Sequence, residues 1–513
     1  MQALLGIDLG TTGIKAALFA ADDGRVLGSA FVDYPLYHPQ PGWAEQNPAD
    51  WWQATLAAIR SCLQEGARHG VRAEDVRGIG LSGQMHGVVL LDEASQVLRP
   101  CIIWADQRSD EQCRWITERV GLANLIEYVS NPALPGFSAP KALWVRDHEP
   151  EIFARARLML LPKDYIRYRL TGVAAMEISD AAGTCLLDVK KGVWSRELLE
   201  AIDFDPALLP PVIPADGVAG TITAEVAELT GLQTGTPVAG GGADNACGAV
   251  GNGVVHSGLA LVSIGTSGVV LAHADTPQVD TSSPVPRVHT FNHAVPNAWY
   301  LMGVTQGAGL SLRWLRDNIG LPERALERWT GLDAYELLAQ EAANVPAGSA
   351  GLVFLPYLQG ERTPHLDPYA RGGWIGLSAI HDRRHLVRSV LEGVAFSLKD
   401  CFAIINEQGL RIEQVRATGG GAKSPVWRQI IADILGVELV TTSAQEGPAF
   451  GAALLAGVAG GVYSSVQQAC ELTVHAVEHT APDPQHVALY ARAYETYRAL
   501  YPALKPILSH PLE

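Results

Sequence analysis

Cysteine is scarce and unpatterned: the seven residues Cys62, Cys101, Cys113, Cys185, Cys247, Cys401 and Cys470 are scattered, odd in number and form no C-x-x-C pair. This excludes a disulfide framework or thiolate metal site and suits a reducing cytosol. Long apolar runs are missing as well. The longest, Ala449 to Tyr463, is broken by glycine, and the N-terminal run is interrupted by Asp8 with no basic segment before it. Neither a membrane span nor a signal peptide is expected, and the chain reads as cytoplasmic. Positive charge is in deficit, with 38 Lys plus Arg against 54 Asp plus Glu, a formal charge of -16, and no basic run. A nucleic-acid or membrane partner is therefore not expected, and anionic ligands need specific sites. No G-x-x-x-x-G-K-[ST] occurs, and no G-x-G-x-x-G follows the first strand, which disfavours P-loop and Rossmann nucleotide sites.

What remains is a folded chain of 513 residues, 48% hydrophobic and 18% charged, long enough for two to four domains at roughly 100 to 200 residues each. Its 52 glycines exceed the usual share of about 7% and point to backbone that turns tightly or approaches a ligand. An internal echo organises it. Residues 4–19 read L-L-G-I-D-L-G-T-T-G-I-K-A-A-L-F, and residues 259–272 read L-A-L-V-S-I-G-T-S-G-V-V-L-A. Each is an apolar strand, a small-residue turn and a second apolar strand, whose turn offers amides and hydroxyls to phosphate oxygens. Two such hairpins suggest two related domains, 1–253 and 254–513, facing one ligand across a cleft.

Between the hairpins, strand-like runs (76–81, 88–91, 158–161, 238–241, 353–358, 415–418) alternate with helical segments (48–64, 385–406, 425–435, 449–459, 486–501). The pattern predicts an α/β fold with helix-covered sheets. Ser424 and Pro425 suit the N-cap and first position of the helix over 425–435.

Several motifs carry chemistry. Asp8 ends a strand just before Gly10-Thr11-Thr12-Gly13 and Lys15. A carboxylate facing phosphate needs a cation between them, so Asp8 points to Mg²⁺ held partly through water, against the alternative of a turn cap. Residues 237–253 run a strand into Gly240-Gly241-Gly242 and then Asp244-Asn245. The glycines leave room for a substrate and favour a general base over an N-cap aspartate. Gly419-Gly420-Gly421-Ala422 could seat an adenine against bare backbone. Met85 and His86 lie between Gly83 and Gly87 at a strand end and read as a pocket wall, while Trp104, Asp106 and Arg108 form a mixture common in sugar sites.

These pieces, taken in order with F-S-A-P-K-A-L-W, L-P-K-D-Y-I-R-Y-R-L-T-G, S-D-A-A-G-T and F-L-P-Y-L-Q-G-E-R-T-P-H, resemble the FGGY carbohydrate kinases over the whole chain. Within that family the chain is most similar to the bacterial members that phosphorylate D-xylulose. The resemblance implies two ribonuclease-H-like domains of the actin-like ATPase type around a cleft holding ATP and Mg²⁺, with Asp244 as base and Asp8 needed for activity. It implies that Met85 and His86 contact the sugar, with Asn245 and Trp104 in the same pocket. Gly265, Thr266, Gly309, Gly421 and Ala422 would lie near the nucleotide, and Thr11, Thr12 and Lys15 near its phosphates. Two positions depart from the family pattern: Ala142 replaces a larger apolar residue, and Arg313 stands where glutamine is known before the tryptophan that here is Trp314. Related readings are the same chemistry on ribulose, glycerol or gluconate, or an actin-like nucleotide-driven binding protein; a homodimer is open as the assembly.

Overall fold

The structure, a computed structural model, describes residues 1–444 and 446–508. The echo in the sequence is a duplication of the fold. In the first sheet the strands lie in the order Val218–Thr221, Pro237–Ala239, Val76–Gly83, Ala3–Leu9, Gly13–Ala20, Val26–Asp33, with Gly242–Ala243 also pairing to Val76–Gly83. In the second they run Ala476–Thr480, Glu438–Thr442, Gln414–Thr418, Leu259–Ile264, Gly268–Ala274, Trp299–Thr305, His289–Asn292. In both sheets the hairpin strands are antiparallel, the hairpin's first strand is parallel to the next two strands outward, and an antiparallel strand closes that edge. Parallel neighbours require crossover connections, which explains the alternation of strands and helices.

Local signals set the helices. Asn47 caps Pro48–Arg68 by accepting from the Ala49 amide at 3.0 Å, and the helix buries Trp51, Thr55, Ile59 and Cys62. Ser424 caps Pro425–Leu435 through the Trp427 amide at 3.3 Å. Among the helices expected, 449–459 begins at Gly447, 385–406 is Arg383–Glu407, and 486–501 extends to Pro484–Leu508. The expected strand over 353–358 stops at Leu355 because Pro356 has no amide to donate to a ladder. All seven cysteines are buried and unpaired. No helix among the described residues is long and apolar enough to cross a membrane.

The helix Gly447–Ala459 lies flat against the first sheet, although it follows the strands of the second. Three glycines on the sheet allow this. A methyl at Gly6 would sit 1.8 Å from the Ala449 carbonyl oxygen, one at Gly80 1.9 Å from that of Ala452, and one at Gly78 2.4 Å from that of Ala456. The sheet thus accepts helix backbone where any larger residue would hold it off.

Candidate active site

The first hairpin turn is fixed from outside. The Tyr34 hydroxyl donates to the Gly10 carbonyl, Gln46 Nε2 donates to the Thr11 carbonyl at 2.7 Å, and Trp104 Nε1 donates to Thr11 Oγ1 at 3.0 Å. Gln84 joins this web, its amide donating to the Leu9 carbonyl at 2.8 Å and its Nε2 to Gln46 Oε1 at 2.7 Å. Among the described residues the Thr11 and Thr12 amides donate to nothing within the protein, as a phosphate cradle requires. The second turn is tied to the start of the helix Gly309–Asn318, where the Gly309 amide donates to the Gly265 carbonyl at 2.8 Å and the Leu310 amide to that of Thr266 at 3.0 Å.

Asp8, next to last in the strand Ala3–Leu9, has Oδ1 buried and without a hydrogen-bond partner among the described residues. Burial raises its pKa, opposed by Ser82 and Lys15. A buried carboxylate oxygen left unmatched beside a phosphate-type turn fits a hydrated Mg²⁺. No group of three His, Cys, Asp or Glu side chains among the described residues could hold a metal by itself, so such an ion would share Asp8 with phosphates and water. Lys15 Nζ pairs with Glu446.

Asp244 opens the helix Asp244–Gly251, with Ala243 in the N-cap position, so it is not the cap. Its Oδ1 accepts from the Asn245 amide at 2.7 Å and from Asn245 Nδ2 at 2.9 Å, and Oδ2 remains available. Burial, then the negative charge of Asp8, pushes its pKa up to about 7, against the two Asn245 contacts. A base poised near neutrality suits proton abstraction from a hydroxyl.

A buried ionic brace holds this loop from behind. Ser179 Oγ accepts from the Ala243 amide at 3.0 Å and donates to Glu177 Oε2 at 2.8 Å. Lys163 Nζ lies 2.8 Å from Asp164 and 3.7 Å from both Glu177 and Asp180. Arg167 pairs with Asp164 at 2.6 Å and donates to the Gly240 carbonyl at 2.9 Å. The segments L-P-K-D-Y-I-R and S-D-A-A-G-T therefore work as scaffold beneath Asp244.

Met85 lies beside Asn245, whose Nδ2 is 3.8 Å from Met85 Sδ. His86 has φ 72°, and its Nδ1 is 2.6 Å from the Gly183 carbonyl. A carbonyl only accepts, so Nδ1 carries the proton and Nε2 is left as an acceptor. Burial, reinforced by Lys141, holds the ring neutral well below its ordinary pKa. Ser138 Oγ and the buried Lys141 Nζ each donate to the His86 carbonyl at 3.1 Å. Of the Trp104 cluster, only Trp104 reaches the phosphate turn. Asp106 is buried, accepting from the Ala44 amide at 2.6 Å and from Arg108, whose guanidinium lies 3.6 Å from the Trp43 ring centroid.

A cavity of about 710 Å³ opens on the second domain. Gly265, Thr266, Gly309 and Gly421 line it, as does Arg313. Ala422 is buried beneath the lining, its carbonyl accepting from Arg428 at 2.6 Å. Tyr335, Leu312, Leu391 and Val426, which no motif marked, give the cavity apolar walls suited to a flat heteroaromatic ring.

The FGGY N-terminal domain model of the carbohydrate kinases matches residues 3–251 and the FGGY C-terminal domain model residues 260–460. The chain belongs to the FGGY family of carbohydrate kinases. It is 39% identical to the xylulose kinase of Bacillus subtilis over 507 residues, covering 99% of this chain and 98% of that protein. It is 40% identical to the xylulose kinase of Escherichia coli K12 over 506 residues, covering 98% of this chain and 100% of the relative. The crystal structure of xylulose kinase from Rhodospirillum rubrum superposes with a TM-score of 0.89 at 32% identity, covering 99% of this chain and 100% of that one.

Proposed function

We propose that this kinase transfers the γ-phosphoryl group of ATP to O5 of D-xylulose. The observation that carries the mechanism is Asp244, a carboxylate with a free oxygen and a pKa near 7, beside Asn245, Met85 and His86. Asp244 Oδ2 takes the proton of the C5 hydroxyl as O5 bonds to the γ-phosphorus and the bond to the bridging oxygen breaks, releasing ADP. His86 Nε2 accepts from a sugar hydroxyl. The turns at Thr11-Thr12 and Gly265-Thr266 grip phosphates from the two domains, which we place at 1–253 and 254–513, and adenine lies in the cavity beside Gly421 and Tyr335. Mg²⁺ bound with ATP would neutralise phosphate charge, and Asp8 is the residue that fits it. His86 and Asn245 offer neutral hydrogen-bonding groups to the sugar, and the xylulose kinases the chain resembles span its full length. ADP release measured over D-xylulose, L-ribulose, glycerol and gluconate tests the assignment. D-Xylulose should give the highest kcat/KM; a higher value with any other acceptor would reject it.

A further inference from the structure

The segment G-E-R-T-P-H of the second domain carries one strong cation, Arg362. Its backbone is pinned on both sides of Arg362. Glu361 Oε1 accepts from the Gln306 amide at 2.8 Å and the Arg362 amide at 2.7 Å, while Oε2 accepts from Thr305 Oγ1 at 2.7 Å. The Thr363 amide donates to the Val304 carbonyl at 3.0 Å, and Thr363 Oγ1 donates to that of Arg287 at 2.8 Å. Val304 follows Met302 on its strand by two residues, and Met302 is paired with His289. The His289 ring lies 5.6 Å from Phe137, and Phe137 lies edge-on to His86 at 4.9 Å. The loop bearing Arg362 therefore stands across this aromatic layer from the sugar wall. In agreement, the Arg362 charge acts on both His86 and His289.

The Arg362 guanidinium is half-buried and makes no hydrogen bond or ion pair with any described residue. Glu361 cannot serve it at close range, because both carboxylate oxygens are committed elsewhere. A guanidinium held without a partner by so rigid a loop is costly unless a ligand completes it. The loop's link to the pocket runs through His289 and Phe137 to His86 and not to Asp244 at the start of its helix, which puts Arg362 at the end of the substrate away from the base. If O5 reacts at Asp244, the opposite end of a ketopentose carries the C2 carbonyl, which is an acceptor only. A guanidinium is a donor only.

We infer that Arg362 is a specificity residue that donates to the carbonyl end of the open-chain ketose across the cleft from His86. The inference rests on the proposed reaction at O5. Uncharged Arg362→Gln is the informative variant, with Arg362→Lys as the charge-retaining control. Both are assayed for kcat and KM with D-xylulose and ATP, for melting temperature, and by titration calorimetry with D-xylulose. A charged hydrogen bond is worth about tenfold or more in affinity. Arg362→Gln should therefore weaken D-xylulose binding and raise its KM by about tenfold, leaving kcat, the ATP KM and the melting temperature nearly unchanged, and Arg362→Lys should recover part of the loss. A fall in kcat without a change in xylulose KM, an equal rise in the ATP KM, or unchanged kinetics would each overturn the inference. Failure of the parent enzyme to use D-xylulose would instead reject the underlying reaction.

Discussion

Replacing Asp244 by Asn separates what this carboxylate does in catalysis from what it costs the fold. Burial and Asp8 raise its pKa from 3.8 to about 7. Below pH 4 it is protonated in both the folded and unfolded chain and contributes nothing. Between 4 and 7 the unfolded chain loses the proton while the folded one keeps it, so folding loses stability steadily as pH rises. Above 7 the penalty is constant. At about 1.4 kcal/mol per pH unit the full displacement amounts to about 4 kcal/mol. Asn keeps the oxygen facing the Asn245 amide but accepts those contacts less strongly, which offsets about 1 to 2 kcal/mol. Asp244→Asn should accordingly be about 2 to 3 kcal/mol more stable than the parent at pH 8, with the gain narrowing towards pH 4. Its kcat should fall by about 10²- to 10⁴-fold, the usual worth of a general base. Calorimetric melting of both proteins from pH 4 to 8, beside ADP release at pH 8, measures both effects. Near-parental kcat, or a stability difference that does not change with pH, would refute the argument.

Because the base must be unprotonated, kcat/KM for D-xylulose should fall as pH drops below about 7; Asp8→Asn removes a charge that raises the Asp244 pKa and should move this limb to lower pH while depressing turnover. Sugar binding without nucleotide should survive in that variant, and its loss by calorimetry would contradict the assignment of Asp8 to the phosphate side. Gly80→Val sets a side chain against the Ala452 carbonyl oxygen, where even a methyl would lie 1.9 Å away, and should cost about 3 kcal/mol or more, read as a lowered melting temperature. Tyr335→Ala should raise the ATP KM several-fold with the xylulose KM unchanged, whereas Arg313→Gln tests the departure from the family pattern in the same cavity and should move only the ATP KM.

Much of this was legible because the informative signals were local. A strand, a small-residue turn and a strand can be read from sixteen consecutive letters, and the second copy at 259–272 announced the duplication before any packing was known. Asp8, Asp244, Met85 and His86, the residues of the proposed site, have glycines close by in sequence, as a substrate site at a strand end would need backbone without side chains in the way. Residues that act through long-range packing left no such mark. Tyr335 reaches the cavity of the second domain from the helix Ala334–Ala343, whose own pattern is that of an ordinary amphipathic helix. Asp106 and Arg108 looked like sugar ligands because composition cannot reveal that their charges face each other inside the fold. The reverse holds for L-P-K-D-Y-I-R, which contributes Lys163 and Arg167 to a buried brace.

The duplicated sheet supplies two similar phosphate turns, so the turns alone cannot decide which half receives sugar and which nucleotide. That asymmetry comes from what stands beside each turn. In the first half the negative charge of Asp8 adds to burial in raising the pKa of Asp244. In the second half the corresponding space is walled by Leu312, Tyr335 and Leu391, and Arg313 and Lys423 are the cations at its edge. A neutral polyol loses its proton only where a base waits, and a purine is held only where a flat apolar slot is open. On the proposed reaction, phosphoryl transfer from the second domain to the first would follow from side chains that the duplication did not copy.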